Sequence, residues 1–382
     1  MNFTLRFPTE IIFGNDTINQ IGTKARQLGN KAFLVTGKSA MRKAGYIDKI
    51  IDILKSAGVD DIFLYDQAEH DPSVETVDKG VQLAKEGNYN VVIGIGGGSA
   101  MDTGKTIASL MNNEGSAGDY QSGKEITNPG VPFIAVPTTA GTGAEITNNS
   151  VITNREKKIK QSIRSPLMIA KVAIVDPVLT KTMPPYVTAS SGMDALTQAI
   201  ETYVSLSANP FSDTLALRSI SIISQNLYKA FENGDDMSAR ENMAMGSLFG
   251  AMAFANSALG AVHGLAHPIG ALFDVPHGVI CGLLLPYVME YNLPAKTERF
   301  AQIAKSMDQY IEGESDEINA HRAIEFIHNL ITKLKLPKRL SELGITRDDL
   351  PLIAKSAKGS SLNNNPRPTD PESLVEIMLS AL

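Results

Sequence analysis

Disulfide bonds are the first thing this chain cannot have. Its 382 residues include one cysteine, Cys281. A lone cysteine forms neither an internal bridge nor a cysteine zinc finger, and it fits a reducing compartment. A positive excess is also missing. The 35 Lys and Arg stand against 41 Asp and Glu, a net charge of −6, so nothing predicts a nucleic-acid partner. Long apolar runs are absent too. The longest, around Val279 to Met289, is too short to span a bilayer and contains Pro286. The opening Met1-Asn2-Phe3-Thr4-Leu5-Arg6 has no apolar core before a small-residue cleavage site, which predicts no secretion signal. Repeats and low-complexity tracts are lacking. What remains is an ordinary globular mixture, 43% apolar and 20% charged, long enough for two or three domains. It is expected in the cytoplasm, with no membrane or nucleic-acid partner.

The first half alternates short apolar runs with helical spacings. Lys31–Thr36, Asp61–Tyr65, Asn90–Ile95, Pro132–Val136 and Val172–Val175 read as buried strands. Ile47, Ile50, Ile51 and Leu54, and then Val74, Val77, Val81 and Ala84, carry helical spacing. Such alternation predicts an α/β fold with a parallel sheet covered on both faces, binding ligands at the carboxyl ends of its strands. The pattern changes at Met183-Pro184-Pro185. Beyond it, Ser190–Val204, Asp213–Phe231 and Ala239–Gly264 read as long helices, so the second half is predicted to be all-helical. The expected domains are 1–184 and 185–382.

The strand at Val91 runs into Gly94-Ile95-Gly96-Gly97-Gly98-Ser99, with Ser99 as a candidate N-cap and Asp102 three residues later. Consecutive glycines let backbone approach a ligand closely, and free amides at a helix start attract phosphate. A bare strand-to-helix turn needs no such run. Neither standard phosphate loop fits, because Ser99 stands where the P-loop and the GxGxxG pattern both need glycine. A second loop, Pro137-Thr138-Thr139-Ala140-Gly141-Thr142-Gly143-Ala144-Glu145, offers hydroxyl and amide donors after the next strand. Two such loops on successive strand ends point to a dinucleotide.

Three of the six histidines, His263, His267 and His277, fall within fifteen residues. His263 and His267 share one helix face, and small residues flank the group. Asp194 and Gln198, also four apart, lie in Ser191-Gly192-Met193-Asp194-Ala195-Leu196. An aspartate there is commonly a cap, but with distant histidines it supplies the anionic ligand a divalent cation prefers.

These motifs, taken in order, resemble the iron-containing alcohol dehydrogenase family. The resemblance runs from Phe13-Gly14 through Gly96-Gly97-Gly98-Ser99 with Asp102, Pro137-Thr138-Thr139, Gly192-Met193-Asp194-Ala195-Leu196, His263, His267 and His277 to Asn365-Pro366-Arg367. It implies an N-terminal dinucleotide-binding domain and a helical domain holding metal and substrate. It implies an NAD(P)-dependent alcohol dehydrogenase or aldehyde reductase acting on a small alcohol, diol or aldehyde, in a homo-oligomer. Cofactor contacts would fall at Gly96, Gly97, Gly98, Ser99, Asp102, Thr138, Thr139, Thr142, Asn149, Lys160, Leu179 and Met183. The metal, Fe2+ or Zn2+, would sit on Asp194, His263 and His277. Where the family has a further histidine this chain has Gln198. Three arrangements stay open: Gln198 ligates through its amide oxygen, water takes that place, or the site is poorly filled. Where NAD-using members often place Asp, this chain has Gly37 followed by Lys38 and Ser39. That leaves room and a donor for a 2′-phosphate, so NADP(H) is expected over NAD(H). His267 is expected to relay a proton or position the nicotinamide, unless it only bonds locally. The rivals are a metal-independent reductase of the maleylacetate-reductase type and a lyase resembling dehydroquinate synthase.

Overall fold

The computed structural model describes residues 3–5, 7–157 and 159–382. Met1, Asn2 and Arg6, part of the N-terminal segment read above, and Lys158 lie outside the described residues. Contacts divide the chain into two compact units: Phe7–Thr139 with Gly143–Thr182, and Met183–Leu382 with Ala140–Thr142.

The first unit is an α/β layer structure. Six parallel strands form its sheet: β1 Glu10–Phe13, β2 Lys31–Gly37, β3 Asp61–Ala68, β4 Val91–Gly96, β5 Phe133–Pro137 and β8 Val172–Val175. A separate antiparallel pair, β6 Asn149–Asn154 and β7 Ile159–Arg164, precedes β8. The sheet order is β1-β8-β5-β4-β2-β3. Its longer helices are α1 Ile21–Leu28, α2 Tyr46–Ser56, α3 Val74–Glu86 and α4 Gly98–Leu110. Side chains along a strand alternate between faces. Phe33 and Val35 of β2 therefore join Val92, Val77 and Val81 in one core, while Ala32 and Leu34 join Ile93, Ile95, Ile50 and Leu54 in another. Burial on both faces is why these strands read as unbroken apolar runs. The chain leaves β2 for the edge strand β3, then returns past β2 to β4. That reversal is the place where open parallel sheets open a crevice at their carboxyl ends. The loops after β2, β4 and β5 all lie at this end.

Three elements differ from the reading of the sequence. β1 escaped it because four residues are too few to show a period. The β6–β7 hairpin escaped it because its strands, with Ser, Thr, Asn, Lys and Gln, lack an apolar run. Ser99 is not the cap of α4. Gly97 is, in extended backbone, with no side chain closing the helix start. Its first amides are thus left without a capping acceptor.

The second unit is helical: α5 Pro185–Val204, α6 Pro210–Glu232, α7 Met237–Ala255, α8 Ala261–Phe273, α9 His277–Ser306, α10 Asp316–Lys333 and α11 Pro371–Ser380, with shorter turns between. The stretch expected as one helix over Ala239–Gly264 is two. The chain leaves helical geometry after Ala255 and resumes at Ala261 behind Gly260. Residues 247–266 are mostly small and apolar, so hydrophobic spacing gave no sign of the break. One core runs through the unit, built on α5 with Met193, Leu196, Ala199 and Ile200. Among the described residues, no helix is long and apolar enough to cross a membrane.

Candidate metal centre and phosphate loops

Asp194 lies mid-way along α5 and is 2% exposed. Two later helices deliver imidazoles to it. His263 stands in the first turn of α8, and His277 is the first residue of α9. His263 Nε2 is 3.3 Å and His277 Nε2 3.9 Å from Asp194 Oδ1. Close backbone approach makes this meeting possible. A Cβ at Gly278 would lie 2.2 Å from the Ser190 carbonyl oxygen and 3.4 Å from Asp194 Cβ. Only a glycine lets the start of α9 rest on α5 there.

The orientation of His263 is fixed from behind. Its Nδ1 lies 2.6 Å from Glu201 Oε2, and Glu201 Oε1 accepts a 2.7 Å bond from the Val262 amide. A carboxylate on one ring nitrogen holds the proton there and leaves the other as a lone pair. Nε2 then faces Asp194 Oδ1 at 3.3 Å, and that buried oxygen has no hydrogen-bond partner among the described residues. Glu201 is held in turn. A Cβ at Gly260 would meet Glu201 Oε1 at 2.9 Å and Asn365 Oδ1 at 3.0 Å. Asn365 Oδ1 accepts from the Ala261 amide at 3.2 Å and from Asn292 Nδ2 at 2.9 Å, while its own Nδ2 donates to Asn292 and to the Arg367 carbonyl. Asn365 therefore caps the helix that carries His263.

Electrostatics follow this geometry. Burial works to raise the Asp194 carboxyl, but His263 and His277 beside it hold it below its ordinary value. Burial works against charge on His263, yet Cys281, Asp194 and Glu201 push its pKa well above the usual imidazole range. The pocket selects positive charge. Gln198, one turn after Asp194 and 4% exposed, bonds the Asp194 carboxylate and leaves its Oε1 without a partner among the described residues. The carboxylate and two imidazoles, crowded in a pocket that favours positive charge, fit a divalent cation.

Two groups at this site were not singled out from the sequence. Glu201 carries no sequence signal, since no spacing links it to His263. Cys281 was read only as a missing disulfide, yet it lies one turn after His277. Its Sγ is 3.5 Å from His277 Nε2 and 4.0 Å from His263 Nε2. Burial pushes its thiol up to about 11. Asp194, His263, His277 and Cys281 form one cluster whose donor atoms lie within 4.8 Å of one another. His267 stacks on His277 with ring centroids 5.3 Å apart, and His277 stacks against His263 at 5.4 Å. Phe254 lies on the helix before the one that carries His263, so no continuous helical phase relates the two.

The α/β unit presents the phosphate-suited loops. β4 is fully buried, and Gly97, Gly98 and Ser99 emerge partly exposed at its end. Gly96 has a φ of +150°, and a Cβ there would meet Ala100 at 2.7 Å, so this turn requires glycine. Thr138 anchors the next loop through a 2.9 Å bond from its amide to the Gly96 carbonyl. A Cβ at Gly97 would touch Thr139 at 3.3 Å. Thr142 is exposed and belongs to the helical unit. Asp102 Oδ2 accepts from the Val151 amide at 3.0 Å, tying α4 to β6. Asn149 opens β6, and its carbonyl accepts from the buried Lys105. Lys160, on β7, is ion-paired with Asp71 at 2.6 Å. The Leu179 side chain is buried in the sheet core, which leaves its backbone as the part available to a ligand. The Met183 carbonyl accepts from Arg240. Gly37 ends β2 beside exposed Lys38 and Ser39, and a Cβ there would meet only the Ala68 carbonyl, at 3.5 Å.

A family model described as iron-containing alcohol dehydrogenase matches residues 8–177, and one described as Fe-containing alcohol dehydrogenase family, C-terminal, matches residues 188–382. The chain is similar to the NAD-dependent methanol dehydrogenase of Bacillus methanolicus, at 35% identity across 98% of each chain. It is similar to the NADPH-dependent butanol dehydrogenase of Clostridium saccharobutylicum, at 36% identity across 99% of this chain and 97% of the other. Among solved structures, a 1,3-propanediol oxidoreductase superposes with a TM-score of 0.96 at 39% identity, covering all of both chains.

Proposed function

This chain belongs to the iron-containing alcohol dehydrogenase family and is an NAD(P)-dependent alcohol dehydrogenase, and we propose that it moves hydride between NADP(H) and a small primary alcohol, diol or aldehyde at a metal held by Asp194, His263 and His277. One observation carries the metal assignment. The buried Asp194 Oδ1, without a hydrogen-bond partner among the described residues, lies 3.3 Å from His263 Nε2, with Glu201 on the opposite ring nitrogen. A divalent cation shared by the carboxylate and the imidazole would satisfy both. Gln198 steadies the Asp194 carboxylate from the same helix face.

When bound, the metal supplies Lewis acidity toward the substrate oxygen, and the nicotinamide supplies or accepts hydride. The protein's part is positioning. Glu201 fixes the tautomer of His263. Asp194 and His263 are buried, where electrostatic interactions are screened less than in water. His277 is 23% exposed at its side chain, which makes it the ligand on the approachable side. His267, stacked on His277, is placed to hold a proton or to steady the nicotinamide end. The uncapped start of α4 with Gly96, Gly97, Gly98 and Ser99, and the hydroxyls of Thr138, Thr139 and Thr142, supply donors for a diphosphate. Asp102, Asn149, Lys160, Leu179 and Met183 complete the proposed cofactor contacts. Residues 1–184 form the proposed dinucleotide domain and 185–382 the metal and substrate domain.

For the cofactor, Gly37 leaves open space and Ser39 a donor where an acidic residue would repel a 2′-phosphate. We take the enzyme to be a cytoplasmic homo-oligomer, on the single cysteine and the family resemblance. Elemental analysis with a cofactor-reduction assay over an alcohol panel tests the reading. One divalent metal per chain is expected, with activity lost on complete chelation. A higher kcat/KM with NADP(H) is expected, and Gly37→Asp should move the preference toward NAD(H). A strong wild-type preference for NAD(H) would sink the cofactor assignment, and full activity without metal would sink the metal assignment.

A further inference from the structure

Resting on that metal assignment, we infer that the Cys281 thiolate, and not the Gln198 amide, completes the metal shell, making an Asp-His-His-Cys site suited to zinc. The chain departs from its family at Gln198 and also places its single cysteine one helical turn after His277. Cys281 is fully buried, and its sulfur points at the same place as the two Nε2 atoms and the unpartnered Asp194 Oδ1. Bond lengths of about 2.0–2.1 Å to N and O and about 2.3 Å to S, at tetrahedral angles, put neighbouring N and O donors about 3.4 Å apart and N and S donors about 3.6 Å apart. The Asp194–His263 edge is 3.3 Å and the Cys281–His277 edge 3.5 Å. Two further edges, 3.9 Å from Asp194 to His277 and 4.0 Å from Cys281 to His263, are longer by about half an ångström, and the last two, Asp194–Cys281 and His263–His277, lie within 4.8 Å. A small closure of α9 toward α5 and α8 would bring all four to the shell.

The Gln198 amide oxygen is buried without a partner among the described residues, but an amide oxygen is a weaker and harder donor than a thiolate, and the Gln198→Ala variant separates the two. On metal binding the S–H bond of Cys281 breaks, a metal–sulfur bond forms and the proton leaves to solvent. No electron is transferred. A thiolate beside imidazoles is a softer donor set than one carboxylate with three imidazoles, and it shifts preference toward zinc.

The test uses the full chain, stripped and reloaded with Zn(II) or Co(II). X-ray absorption at the zinc edge of the wild type is expected to show one sulfur neighbour at about 2.3 Å. The cobalt form is expected to show a near-ultraviolet sulfur-to-cobalt charge-transfer band, which has one possible source in a chain with one cysteine. Cys281→Ser should abolish the band and weaken metal retention at least about tenfold. Gln198→Ala should keep the band. Metal bound at one per chain with only nitrogen and oxygen neighbours would overturn the thiolate while leaving the Asp194–His263–His277 site standing. No stoichiometric metal binding would overturn both.

Discussion

Glu201 uses both carboxylate oxygens on the start of α8, one on the His263 ring and one on the Val262 amide. Glu201→Gln keeps the size but only one of the two accepting oxygens, and it loses the charge that makes the imidazole a strong donor. Metal affinity should fall about 10–100-fold with the fold retained, read by competition with a chromophoric chelator. An unchanged affinity would mean that Glu201 only caps the helix. Asp102 gives a residue-scale prediction in the other unit. Burial raises its carboxyl from 3.8 to about 6, against Lys105 and the Val151 amide, which favour the ionised form. Between those values the folded chain keeps a proton that the unfolded chain has lost. This stabilising contribution is whole below about pH 4 and is lost as pH rises through about 6. Urea unfolding of wild type and Asp102→Asn across that window should show wild type losing stability relative to the variant as pH rises. Parallel curves would refute the raised pKa. Legibility at this scale followed spacing. His263 and His267 announced themselves by proximity, as did Asp194 and Gln198. Glu201 and Asn365 are joined to His263 only by the fold, and no local pattern could show it.

At the scale of elements, the helices meet where side chains are absent. Gly278→Ala would push a methyl group into the Ser190 carbonyl, a backbone atom that cannot rotate away. The start of α9 must then lift off α5, taking His277 and Cys281 with it. A stability loss of about 1–3 kcal/mol is expected from overpacking, together with reduced metal content. Thermal unfolding and elemental analysis of one preparation check both, and a variant with normal metal content would show that the closeness is dispensable. The strands buried on both faces were legible because their burial leaves unbroken runs of Val, Ile, Leu and Phe. The β6–β7 hairpin was not, because its lysines, glutamine, serines and asparagines satisfy a ladder without marking a face. The division between α7 and α8 was hidden for the opposite reason. Alanine, glycine and methionine on all sides erase the period that would locate a helix end.

For the whole molecule, the glycine loop after β4 lies in one compact unit and the carboxylate–imidazole cluster in the other, while the loop after β5 lends Ala140–Thr142 to the helical unit. A ligand stabilises the structure that binds it, by about 2.7 kcal/mol at a hundredfold excess over its Kd. Hydrogen exchange should therefore respond regionally. Added metal should slow exchange over 192–201, 261–267 and 277–282, and added NADP(H) should slow it over 94–104. Metal-dependent protection confined to the sheet would contradict the assignment. The two-domain organisation was readable from the change of pattern at Met183-Pro184-Pro185, but the return of Ala140–Thr142 to the helical unit was not, since three small residues carry no pattern. Asn365 bears on how the protein is made. Synthesis delivers Asp194 first, then His263, His277 and Cys281, and only afterwards the asparagine that fastens the start of α8 to α9. A nascent chain interrupted before that residue owns every metal donor but not the latch that sets their spacing. Metal capture at native affinity thus belongs to a late step in biogenesis, and truncations that spare all four donors should still yield a chain poor in metal.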